Sequence, residues 1–104
     1  MDFDSLGEII ATRRFRLIDE GNHQRTVSVF VSKPEQSNGS SEYHCAFQVI
    51  GIGSQKTQLA RGHDSIQALQ AALVLIAASL NRLNRELGEK LIWDGDDKGE
   101  LGFP

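Results

Sequence analysis

Residues 24–33, QRTVSVFVSK, alternate in polarity. Val27, Val29 and Val31 alternate with Thr26, Ser28 and Ser32, and Phe30 alone breaks the polar side. A period of two marks a strand with one buried face. Residues 9–18, IIATRRFRLI, are long enough for a strand before it. The link Asp19-Glu20-Gly21-Asn22-His23 has turn composition, which suits a hairpin. Residues 43–52, YHCAFQVIGI, read as a third strand with Tyr43, Cys45, Phe47 and Val49 on one side. A tight turn at Gly51, Gly53 and Ser54 leads to a short fourth strand over 55–61, with Thr57 and Leu59 on one side. Odd-numbered positions thus form the apolar face of every strand, and Arg13 is the exception. One dry face and one wet face is the antiparallel pattern. Short links favour an up-and-down meander. Pro34 ends the second strand, and 34–42, PEQSNGSSE, reads as a mobile loop.

The period then changes. Ile66, Leu69, Leu73, Ile76, Leu80, Leu83 and Leu87 are spaced alternately three and four apart. That stripe predicts a helix over 64–87. Asp64 with Gln67 three residues on resembles a capping box, and Gly88 stands where a helix ends in a left-handed residue. A helix of ~23 residues spans ~35 Å, close to the ~33 Å of a ten-residue strand. One helix can therefore lie along the whole sheet, but at ~10–12 Å wide it cannot cover four strands ~19 Å across. Ala68, Ala71, Ala72, Leu75 and Ala78 also fall largely off the main stripe and make a second small apolar face. Either the chain's ends (Phe3 and Leu6; Leu91, Ile92, Trp93, Leu101 and Phe103) or a second subunit should complete the cover. The two are compatible. The expectation is an α+β domain over 1–104: a four-stranded antiparallel meander, one long helix on its apolar face and a C-terminal tail folding back.

At 104 residues the chain is one domain, able to bury about 65% of its unfolded surface. A single Cys and 2 Pro exclude a disulfide scaffold and a Cys-based zinc site. The net charge of −3 argues against a generally basic nucleic-acid binder. That charge is uneven. Residues 1–63 hold seven acids and seven bases, whereas 64–104 hold seven acids and four bases, with Asp94, Asp96, Asp97 and Glu100 in the tail. The acidic N-terminus is unlike a signal peptide, and the most apolar run, 71–80, is shorter than a membrane span. A cytoplasmic protein with no membrane contact is the expectation.

Candidate chemistry is sparse. Asp94-Gly95-Asp96-Asp97-Lys98-Gly99 looks like the start of a calcium loop, but Lys98 stands where a ligand is needed and the loop would run past Pro104. His44 and Cys45 are adjacent, so a strand points them to opposite faces. Cys45 on the apolar face reads as a small buried hydrophobe. His63 beside Asp64 at the helix entrance is a candidate acid–base pair; the plainer reading is that Asp64 caps the helix. Neither a metal site nor a cofactor site is expected. The polar sheet face is chemically mixed: Arg14, Arg16, Phe30, His44, Gln48 and Lys56 project there, and such a face can hold an anion, a peptide or RNA.

Residues 45–80 partly resemble the last half of a double-stranded-RNA-binding domain. The matching helix entrance, Arg61 to Gln67, lacks that family's lysines and places Asp64 where phosphate would lie. A second resemblance covers nearly the whole chain. Ile10-Ala11-Thr12-Arg13-Arg14-Phe15, Gly62-His63-Asp64-Ser65-Ile66-Gln67-Ala68-Leu69 and Gly102-Phe103-Pro104 together resemble a family of short bacterial proteins of unknown function. The resemblance implies no activity, substrate or cofactor. The expectation is a non-catalytic binding or protein-interaction module, working as a homodimer. The helix entrance (His63, Asp64, Gln67) and the second helix face (Ala68, Ala71, Ala72, Leu75) are its candidate surfaces beside the sheet face. The alternatives are RNA or anion binding through the arginine face, and a small enzyme using His63 and Asp64.

Overall fold

The computed structural model describes residues 6–95 and 100–103. Its elements are β1 (Ile9–Ile18), β2 (Gln24–Ser32), β3 (Glu35–Gln36), β4 (Tyr43–Ile50), β5 (Gln58–Gly62), α1 (Ser65–Glu86) and β6 (Leu91–Ile92). The α+β class stands. The sheet has six strands rather than four, because two-residue pairings extend the meander β1-β2-β4-β5 at two places.

The first addition is β3. The β2–β4 ladder runs from Ser28↔Ile50 to Val31↔Phe47. There the Ser32 hydroxyl replaces the ladder: it donates to the Ala46 carbonyl at 2.8 Å and accepts the Ala46 N–H at 3.0 Å. Pro34 interrupts pairing for only two residues. Glu35↔His44 and Gln36↔Tyr43 then resume it, so the expected mobile loop is in part a strand. Proline is tolerated there because β1 has ended and β3 is an edge.

The second addition is β6, which pairs Arg16↔Ile92 and Leu17↔Leu91 along the far edge of β1. Its seat is made by α1. The helix ends at Leu87 with Gly88 at φ +75°, Gly88 N–H donating to Arg85 O and Glu89 N–H to Asn84 O. This is the Schellman arrangement expected of Gly88. The buried Asn84 side chain then accepts the Leu91 N–H at 3.0 Å, tying β6 to the last helical turn.

The core lies between α1 and the odd-numbered face of β1, β2 and β4: Phe15, Leu17, Val27, Val29, Val31, Cys45, Phe47 and Val49. Two expectations about it need correcting. In β5 the parity reverses. Cys45↔Ala60 is the register, so Ala60 is buried and Leu59 is 48% exposed on the opposite face. The turn before β5, with Gly51, Gly53 and Gln55 at positive φ, resets the phase. In α1, Ala68 and Ala72 belong to the core and not to a second face, in one row with Ile76 and Leu80, while Ile66 is 67% exposed. The reason is close approach. The helix packs mainly across β4 and β5, where it meets Ala60 and Gly62, and a Cβ on Gly62 would lie 2.5 Å from the Ala68 backbone nitrogen. Only small helix residues fit there. By length and composition α1 is apolar enough to cross a membrane; here its small-residue row seats on the sheet.

The helix leaves the β1–β2 half of the apolar face to the tail, which does fold back. Leu91 and Leu101 are buried in the core, and Trp93 and Phe103 pack against it. The Phe103 ring lies 6.4 Å from that of Phe15. Phe3, Asp96, Asp97 and Pro104 lie outside the described residues.

Candidate functional site

The three arginines of β1 meet three different fates. Arg13, the one charged residue in the odd-numbered row, is roofed by the tail. Its guanidinium carbon lies 4.1 Å from the Trp93 ring centroid and 4.9 Å from that of Phe103. Its Nη1 also donates to the carbonyls of Gly102 at 2.7 Å and Leu101 at 3.3 Å. A delocalised, weakly hydrated cation suits such a place between aromatic faces. Arg16, on the other face, donates through Nε and Nη2 to one oxygen of Asp94, at 2.9 and 2.6 Å. Arg14 shares that face, is exposed, and has no ion-pair partner among the described residues.

The other members of the expected basic face do not gather round Arg14. Gln48 is 2% exposed and is not a solvent-facing group. Its Nε2 donates to the Gln55 carbonyl at 2.9 Å, while Gln55 Oε1 accepts the Gly51 N–H. The β4–β5 turn thus folds over it. Lys56 leaves the sheet face altogether. It lies in that turn and lines a cavity with Leu83, Arg82 and Glu86 of α1. Phe30 is half-buried opposite Gln48. His44 shares a hydrogen bond with Ser37 Oγ at 3.1 Å, and its neighbour Arg61 pairs with Glu42 at 3.2 Å. Cationic chemistry on this face is therefore concentrated at the β1 edge.

The helix entrance is capped by Asp64 as expected, but the return bond of the box reaches one residue further back, to His63 rather than to the Asp64 N–H. Asp64 Oδ1 accepts the Gln67 N–H at 2.7 Å, and Gln67 Oε1 accepts the His63 N–H at 2.6 Å. The Asp64 carboxylate is spent on the helix and does not orient the exposed His63 ring. The outer helix surface carries Val74, Leu75 and Ala78, with Val74 58% and Leu75 43% exposed, while Ala71 is half-buried and packs against the core margin. Val74 was not among the residues singled out for that face. It lies one position from the main stripe, so spacing alone did not separate it from the core.

Cys45 is fully buried, and its thiol donates to the Ser32 carbonyl. Desolvation pushes its pKa up, so the thiolate needed for reaction is suppressed. A disulfide reagent at pH 8 should label Cys45 only at the rate of unfolding, and at once in denaturant. Labelling of the native protein at the denatured rate would contradict this burial. The sign for stability is also set: a raised thiol pKa leaves stability unchanged below the unfolded value, about 8.5, and lowers it as pH rises above that.

A family model described as Domain of unknown function (DUF6968) matches residues 11–104. The chain belongs to this family. No curated protein and no solved structure matches it. For this DUF6968 chain, the match takes in the arginines of β1, the capped helix entrance and the tail that closes on Arg13. No group of three or more His, Cys, Asp or Glu side chains able to hold a metal occurs among its described residues.

Proposed function

We propose that this DUF6968 chain is a non-catalytic protein-interaction module that self-associates through the outer face of α1. One observation carries the reading. Val74, Leu75 and Ala78 form an apolar ridge on the side of the helix turned away from the sheet, flanked by the half-buried Ala71, and its two largest members are about half exposed. Apolar surface of this kind is a recognised mark of association. Small residues alternating with larger ones let two helices approach closely and interdigitate. A ridge that meets its own copy about a two-fold axis is self-complementary. The spent Asp64 carboxylate and the inert Cys45 support the non-catalytic part.

Light scattering on a sizing column should give a mass near twice the chain's 11.5 kDa at ~100 μM, a concentration suited to the weak association expected of a small patch. Leu75→Glu should return the mass to that of one chain with an unchanged melting temperature. A single-chain mass for the unmodified protein at that concentration would refute self-association.

A further inference from the structure

We propose that the exposed edge of β1 at Ile10–Arg14 accepts an extended acidic segment of a protein partner as an added strand. The inference rests on the interaction-module reading but uses a different surface from the helix ridge. β1 is ten residues long, and β6 pairs with only Arg16 and Leu17 on its outer side. Towards its start, Ile9 and Ile10 are 39% and 47% exposed, and Ala11, Thr12 and Arg14 are exposed too. Among the described residues no strand pairs with this side of Ile9–Phe15. The β1–β2 register shifts between Ile9 and Ala11, so the regular part of the open edge runs over Ala11–Phe15, about 17 Å; it is a template for another strand, and its unpaired N–H and C=O groups demand an extended one.

The side-chain chemistry follows from the chain's own tail. β6 approaches this edge antiparallel, and one of its neighbours, Asp94, places a carboxylate on Arg16. After Ile92 the chain leaves the edge, and Trp93 turns in over Arg13. Arg14 lies two residues from Arg16 and on the same face, exposed, so a strand continuing where β6 stops meets a second guanidinium on that face, one without an ion-pair partner among the described residues. On the other face such a strand meets a cavity of about 130 Å³ lined by Ala11, Thr12, Val31, Leu73 and Phe103 beside Arg13. That lining suits an aliphatic side chain. The fitting ligand therefore alternates carboxylate and aliphatic residues.

The test titrates the full-length labelled chain, followed by amide NMR, with a blocked peptide of alternating valine and glutamate and with its valine–lysine counterpart. The glutamate peptide should shift the Ile10–Arg14 amides, slow their hydrogen exchange and bind more weakly as salt is raised. Arg14→Glu, an exposed substitution, should weaken it about tenfold or more through like-charge repulsion and should admit the lysine peptide instead. Absence of binding, shifts confined to the outer face of α1, or equal binding by Arg14→Glu would each overturn the proposal. So would edge amides already protected without peptide in a species of twice the mass, because the occupant would then be a second copy. Sizing Leu75→Glu with and without peptide keeps the two readings apart: a single chain that still binds peptide at the edge upholds this one whatever becomes of the helix dimer.

Discussion

Gly62→Ala should destabilise the protein by about 3 kcal/mol, the upper range for overpacking a tight interface. For a chain of this size that lowers Tm by about 10–20 °C. The cause is steric. Gly62 is the last residue of β5 and lies where α1 begins. A methyl there would sit 2.5 Å from Ala68 N and 2.8 Å from Gln67 C. Both are helix backbone atoms, so no rotamer change relieves the contact. The helix must move off the sheet, and Ala68 and Ala72 lose their seat with it. Gly39→Ala is the matched control. Gly39 has φ +71° but open space around it, so alanine there brings only left-handed backbone strain, about 1 kcal/mol. Thermal unfolding followed by circular dichroism separates the two. If Gly62→Ala melts no lower than Gly39→Ala, the helix is not seated as described.

The same close approach explains where periodicity misled. The largest side chains of α1 define a stripe that includes Ile66, yet the residues touching the sheet at that end are alanines, because β5 presents Ala60 and Gly62. Hydrophobic spacing weighs side chains by size, whereas packing here rewards smallness. The alternation that located β1, β2 and β4 failed at β5 for another reason: five residues are too few to establish a phase after three positive-φ positions. β3 and β6, at two residues each, carry no periodic signal at all. Gln48 obeyed the alternation, and its side chain does lie on the face opposite the core. Nothing in the local pattern showed that Gln55 would fold over it. Arg13 was the most informative departure. A cation in an apolar row demanded something to receive it, and that something came from 80 residues away.

Arg13→Ala should cost about 2 kcal/mol, combining two partly exposed cation–π contacts with charge-assisted hydrogen bonds, and the loss should be local before it is global. Arg13 holds the tail by four contacts at once: the Trp93 and Phe103 rings, and the carbonyls of Leu101 and Gly102. Without it, Trp93 and Phe103 have only apolar packing to keep them over the β1–β2 half of the core. Trp93 is the sole tryptophan, so its emission reports on the tail alone. The expected result is red-shifted emission and greater quenching by iodide at temperatures where circular dichroism still shows folded protein. Arg13→Lys should recover little, because an ammonium is a point charge that cannot stack on two rings while forking to two carbonyls. Arg14→Ala, one residue along but on the exposed face, should leave Trp93 emission unchanged. Wild-type emission from Arg13→Ala would mean that the hydrophobic contacts of Leu101 and Phe103 hold the tail, and that the guanidinium merely occupies the space beneath it.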